Sequence, residues 1–244
     1  MNYQQMLIIG IIVITVIYVG YTVITDMKST LANEPWLIYG TKSASSSTIV
    51  VPADKIPMSQ DGQYGIEFSY SLWMFINSVK GDKYKHVFHK GNSTAYPLQA
   101  PGVWIYPNEN KLGINMNTFS SLKESCDIGN VPMGKWFHLS IVVMNHYIDI
   151  YINGELKKRC KFKGLPKQNF DDVIINNWEG YDGFISQFRY FSYALPYYKI
   201  EQILKQGPSQ APCNDTGENV PPYLASDYWQ TTGFPDYTGT VNTK

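Results

Sequence analysis

From Asn2 to Thr25 the sequence carries no charged side chain, and Met6 to Thr25 (MLIIGIIVITVIYVGYTVIT) is a near-continuous Ile/Val/Leu run. A stretch of about 20 residues rising about 1.5 Å each spans about 30 Å, the hydrocarbon thickness of a bilayer. In lipid every backbone polar group must be satisfied internally, so a single segment crosses only as a helix. Tyr18 and Tyr21 fall towards its C-terminal interface. A cleaved signal peptide would instead call for a Lys/Arg n-region, a shorter apolar stretch and a small-x-small cleavage site. A retained single-pass anchor at 6–25, within an N-terminal segment 1–25, is therefore the expectation, with the lipid bilayer as its partner. Asp26 and Lys28 leave its orientation open.

Beyond the anchor the chain has room for one domain of roughly 150 to 200 residues. Aromatics are 15% with 19 Tyr, and 19 Gly and 14 Pro accompany them, which suits short strands joined by turns. Lys+Arg and Asp+Glu are both 20, so no basic surplus is available for phosphates and nucleic acid is not an expected partner. Residues 26–47 mix Ser, Thr, Ala and Pro around Trp36-Leu37-Ile38-Tyr39 and read as a linker. Strand-like alternation starts at Ile49-Val50-Val51, resumes over Gly65–Ile76, and recurs at short spacing up to Gly183–Tyr193. Asn153-Gly154, between Tyr147–Ile152 and Glu155-Leu156, supplies the positive φ values of a type I′ hairpin turn. One helix is expected at Tyr197–Lys205, with Ile200, Ile203 and Leu204 as its apolar stripe and Gly207-Pro208 as its stop. Residues 208–244 are Pro-rich without periodicity and read as an extended tail.

Several segments, taken in order, resemble one family: FSYSLWM (68–74), Pro101-Gly102-Val103-Trp104, Lys135-Trp136-Phe137-His138, the "YINGEL" hairpin (151–156), and Gly183-Phe184-Ile185 leading to Ala194-Leu195. They are similar to the concanavalin A-like lectin/glucanase superfamily in its laminin G/pentraxin-like branch, over roughly residues 48–207. The resemblance implies an all-β fold: an antiparallel jelly-roll β-sandwich, here with one N-terminal transmembrane helix and a short helix after the last strand. The anchor together with "EFSYSLWMFIN" and "KHVFHKG" resembles the membrane-anchored members encoded by large DNA viruses of algae and protists, whose virions hold an internal membrane beneath the shell.

Glucanases of the superfamily cut glycosidic bonds with two close carboxylates on one strand. The nearest acidic strand residue here, Asp149, has no acidic neighbour two positions away, so it reads as a satisfied or solvent-facing residue, and Asp149→Asn is expected to leave folding unchanged. The positions where calcium-binding relatives place an acidic pair hold Ser186 and Gln187, which removes charged oxygen ligands. His86 and His89, three apart on a strand, are expected to point to opposite faces, which argues against joint metal ligation. No catalytic residue, metal or cofactor is expected.

Trp104, Trp178 and Tyr181 are candidates for an aromatic platform under a sugar ring, against the common use of sandwich aromatics as core. Tyr223, Tyr228, Trp229, Phe234 and Tyr237 are candidate anchors by which the tail docks on a partner. Of three cysteines, Cys126 and Cys160 fall in neighbouring strands; a bridge between them and buried reduced thiols are both open readings. The functional expectation is a non-enzymatic membrane-anchored structural or interaction protein, specifically a minor capsid protein linking an internal viral membrane to its shell, with other capsid or membrane proteins as partners. The rival is a membrane-tethered lectin that binds glycans.

Overall fold

The computed structural model describes residues 2–45, 47–62, 65–92 and 98–209. The chain divides into two compact units, Met1–Glu34 and Pro35–Lys244. The first is a single helix, α1 (Tyr3–Asn33), whose apolar side chains are exposed. Its Thr15, Thr22 and Thr25 hydroxyls donate back to carbonyls three or four residues earlier, so these polar atoms are satisfied within the helix. Tyr3–Ser29 is long and apolar enough to cross a membrane, a property that membrane anchors and signal sequences share. The helix runs past Thr25 and takes in the first third of the expected linker.

The second unit is two antiparallel sheets. The strands, in chain order, are β1 (Trp36–Ser43), β2 (Ile49–Val51), β3 (Gln60–Gly62), β4 (Gly65–Ser78), β5 (Lys85–Lys90), β6 (Gly102–Ile105) and β7 (Lys111–Met116). They continue with β8 (Glu124–Gly129), β9 (Trp136–Met144), β10 (Tyr147–Ile152), β11 (Glu155–Lys161), β12 (Val173–Ile175) and β13 (Asp182–Phe191), followed by helix α2 (Tyr197–Gln206). The first sheet runs β1-β13-β4-β9-β10-β11 with β3 beside β4, and the second runs β2-β12-β5-β6-β7-β8. Their inner faces share one core, to which Tyr70, Leu72 and Met74 of β4 and Leu139 and Ile141 of β9 contribute from one side. Phe88, Val103, Ile105, Leu112 and Ile114 face them from the other. This is the expected sandwich.

One boundary needs correction. Residues 36–43, expected within the linker, form β1, which pairs with β13 from Trp36 opposite Arg189 to Ser43 opposite Phe184. Leu37 and Ile38 are buried in the core. The pairing partner lies about 150 residues downstream, so nothing local in the sequence marks the segment as a strand.

Other elements follow local rules. Asn153 (φ 51°) and Gly154 (φ 80°) both take positive φ, as the type I′ turn requires. α2 lays Ile200 and Ile203 against Val142, Phe191 and Leu195 on the outer face of the first sheet, and Gly207 (φ 73°) ends it. Cys126 of β8 and Cys160 of β11 are joined in a disulfide, with Cα atoms 5.9 Å apart. These are edge strands of opposite sheets, so the bond clips the sandwich along one side. Closing a loop with a sequence separation of 34 limits the unfolded chain by about 4 kcal/mol in the chain-entropy view.

The strand register also defines two ends. Tyr190 donates its N–H to the Pro35 carbonyl and pairs with Tyr70, and the lower-numbered rows of β4 lead to Glu67 opposite Met144. The chain therefore enters the sandwich from the end that carries the β9–β10 turn, called here the entry end. The opposite, far end holds the turns after Ser43, Ser78, Ile105 and Ile175.

Candidate functional site

Along β5 to β8 the side chains that do not face the core line up in rows on the outer face of the second sheet. One row is His86, Trp104, Gly113 and Asp127; the next is His89, Gly102, Asn115 and Ser125. His86 and His89 share this face, contrary to the expectation from simple alternation, because a register shift between His86 and Phe88 inserts one extra residue opposite β6. His86 Nε2 and His89 Nδ1 are 2.7 Å apart. The Asn177 N–H donates to His86 Nδ1 at 3.0 Å. In the neutral pair the His86 proton therefore sits on Nε2 and is donated to His89. Burial pushes the His86 pKa down to about 2, with His89 adding to the shift. Burial also lowers His89 to about 4 against an opposing Asn92 backbone hydrogen bond. Both rings are uncharged at neutral pH.

The segment after β12 folds over this pair. Trp178 stacks on His89 with 18° between ring planes, meets His86 edge-on, and lies near-parallel to Trp104 at 5.4 Å between centroids. The path there is tight: Trp178 (φ 50°) and Glu179 (φ 66°) both adopt left-handed backbone, at about 1–2 kcal/mol each. Gly180 follows where a Cβ would lie 1.9 Å from the Ala44 carbonyl oxygen, so no larger residue fits. Trp178 is half-exposed, while the histidines beneath it are buried.

Trp104 and Trp178 form one side of a groove of about 350 Å³, completed by Tyr84, Tyr106, Gly113, Asn115 and Lys123. Gly113 makes room for the Tyr106 ring, whose Cε2 would be 3.0 Å from an added Cβ. Tyr106 is fixed from three directions. Its hydroxyl donates to Asp127 Oδ2 at 2.7 Å, Tyr84 meets its ring edge-on at 4.9 Å, and Lys111 Nζ sits 3.9 Å from the ring centroid. Trp104 Nε1–H donates to Gln99 Oε1 at 3.0 Å, which holds the indole with one face towards the groove. Asn115 Oδ1 accepts from the Ser125 hydroxyl at 2.9 Å. A wider opening on the far-end side adds Asp82, Lys83, Glu179 and Asp182. The site thus offers flat apolar walls with amide, ammonium and hydroxyl groups at their edges.

Residues 44–200 match a laminin G-type family of the concanavalin A-like lectin/glucanases superfamily. The chain belongs to that superfamily. No curated protein sequence matches it. Among solved structures, it is similar to the botulinum neurotoxin serotype D binding domain, with 17% identity, a TM-score of 0.53, and coverage of 68% of this chain and 41% of that one. It is also similar to the receptor binding domain of the botulinum neurotoxin mosaic serotype C/D, at 17% identity, TM-score 0.53, and coverage of 72% and 46%. The chain therefore spans less than half the length of these proteins, and the likeness establishes the fold they share.

In this superfamily member the expected site residues divide. Trp104 and Trp178 come together, but Tyr181 turns inward and donates its hydroxyl to the Phe184 carbonyl at 2.8 Å, so it offers no sugar-facing ring. Burial holds its phenol far above the ordinary range. Sequence reasoning missed Tyr84, Tyr106, Asn115 and the histidine pair. Gly113 and Asn115, alternating with Leu112 and Ile114, were the available signal for an outward face free of bulk. Asp149 is buried and held by Arg159 through two 2.6 Å hydrogen bonds. Ser186, at the expected calcium position, bonds the Thr41 hydroxyl and the Ser209 N–H. Tyr223, Tyr228, Trp229, Phe234 and Tyr237 lie outside the described residues.

Proposed function

We propose that this protein is a membrane-anchored, non-catalytic recognition module whose groove binds the rings of a glycan. The observation that carries the reading is the pairing of Trp104 with Trp178, opposite Tyr84 and Tyr106, with Asn115 and Lys123 at the rim. A pyranose presents apolar C–H faces and a belt of hydroxyls, which matches flat aromatic walls edged by hydrogen-bonding groups. The structural neighbours named as binding and receptor binding domains are consistent with a recognition role on this fold. α1 supplies the anchor, by its length and apolarity.

The test is a glycan array probed with residues 35–244, followed by titration of any ligand found. Trp104→Ala should weaken binding by about fivefold or more while the fold is kept, since one stacked aromatic contributes about 1–3 kcal/mol. Failure of every glycan to bind, or equal binding by the variant, would refute the reading. Alkaline extraction of membranes containing the full chain tests the anchor separately. The finer role that the sequence resemblance implies, a minor capsid protein joining an internal membrane to a shell, stays a proposal resting on that resemblance. Detergent extraction of particles, with the protein partitioning to the shell or to lipid, decides it.

A further inference from the structure

Among the described residues of the sandwich, the three most exposed large apolar side chains are Phe119 (73%), Phe170 (69%) and Met58 (68%). All three lie on entry-end loops. Phe119 and the exposed Leu122 are on the β7–β8 loop, Phe170 is between β11 and β12, and Met58 is between β2 and β3. The loops are tied to one another: Phe119 N–H donates to the Leu165 carbonyl at 2.9 Å, and Ser59 bonds Gln168. A single exposed apolar residue is ordinary, but concentration on one end of a domain marks an interaction surface. Lysines are interleaved with them. Lys167 Nζ stands 5.3 Å from the Phe119 ring centroid, and Lys123 and Lys163 flank the same loops. Of the carboxylates there, Glu124 accepts from the Lys163 and Gly164 N–H groups and from Thr118, and Asp172 accepts from the Ala53 N–H, while Asp54 and Asp171 are exposed.

The chain arrives at this end from α1 with only Glu34 and Pro35 between helix and strand. We propose that the entry end of the sandwich is a membrane-contact surface, in which Phe119 and Leu122 enter the lipid interface while Lys163 and Lys167 meet phosphate headgroups. The inference rests on the anchor reading of α1, whose C-terminal end leads into this end of the sandwich through Glu34 and Pro35. Aromatic rings with adjacent lysines suit the headgroup layer, where apolar bodies are buried and ammonium groups stay wet. The glycan groove lies on the outer face of the second sheet, where Lys123 borders both it and the β7–β8 loop.

Residues 35–244, which lack α1, can be sedimented with phosphatidylcholine vesicles with and without phosphatidylserine. The fragment should bind both, more tightly with phosphatidylserine. The F119S/L122S pair should lower partition to both vesicles by about tenfold or more. The K163Q/K167Q pair should remove the phosphatidylserine preference, at about fivefold per lysine. Tyr198→Ser, on α2, should partition like the wild type. An unchanged melting temperature confirms that these exposed positions leave the fold intact. No binding of the wild-type fragment, equal binding by F119S/L122S, or an equal loss with Tyr198→Ser would each overturn the proposal. Because the fragment has no helix, these results stand apart from extraction of the full chain, which tests the anchor.

Discussion

Asp149 shows how a residue's surroundings reverse an expectation drawn from its neighbours in sequence. It has no acidic partner, so it is not placed to share chemistry with a second carboxylate, yet it is not idle: it is buried, and Arg159 across the β10–β11 ladder grips both oxygens. Contrary to the sequence expectation, Asp149→Asn should therefore lower stability, by about 1–3 kcal/mol, in a denaturant titration. The half-exposed Arg159 regains water in that variant, which keeps the loss at the lower side of what a fully buried pair would cost. The buried histidines make a second prediction. His86, His89 and His138 have pKa values lowered to about 2, 4 and 4, chiefly by burial. Unfolded histidines titrate near 6.5, so below that pH the unfolded state binds more protons than the folded state. Stability should be full above about pH 6.5 and decline as pH falls, by up to about 1.4 kcal/mol per pH unit for each histidine, until the folded-state values are reached. His86→Phe should flatten part of that slope; an unchanged slope would show that His86 is charged in the fold.

Among the elements, β1 decides how much chain the domain needs. A fragment beginning at residue 48 would strip β13 of its edge partner and remove Leu37 and Ile38 from the core. Those two side chains alone represent about 3–6 kcal/mol of burial. The prediction is that a fragment starting at residue 35 melts cooperatively, whereas one starting at residue 48 is destabilised by that amount or fails to fold. Equal melting temperatures would show that β1 is dispensable. By contrast, the β10–β11 hairpin and α2 are legible in the sequence alone, because each is specified within a few residues: Asn-Gly sets the turn, and Ile200, Ile203 and Gly207 set the helix face and its end.

In the molecule as a whole, the sequence by itself determined the helix of membrane-spanning length, the all-β class, the family, and the missing acidic partner of Asp149. Each of these depends on composition, short-range periodicity or residue identity at motif positions, all of which survive reading along one dimension. Tertiary structure decided what depends on pairing across long separations. β1 is a strand only because β13 lies beside it, and His86 meets His89 only because a bulge breaks the alternation. Trp178 covers them only because the segment after β12 returns across β5 with left-handed backbone. Trp104 and Trp178, 74 positions apart in the chain, become one wall of a groove, while Tyr181, three residues from Trp178, turns into the core. The same register sets the exposed Phe119, Phe170 and Met58 at the end where the chain enters. Side-chain direction is fixed by register and backbone twist, and those are settled by the sum of contacts over two sheets, not by any local stretch of residues.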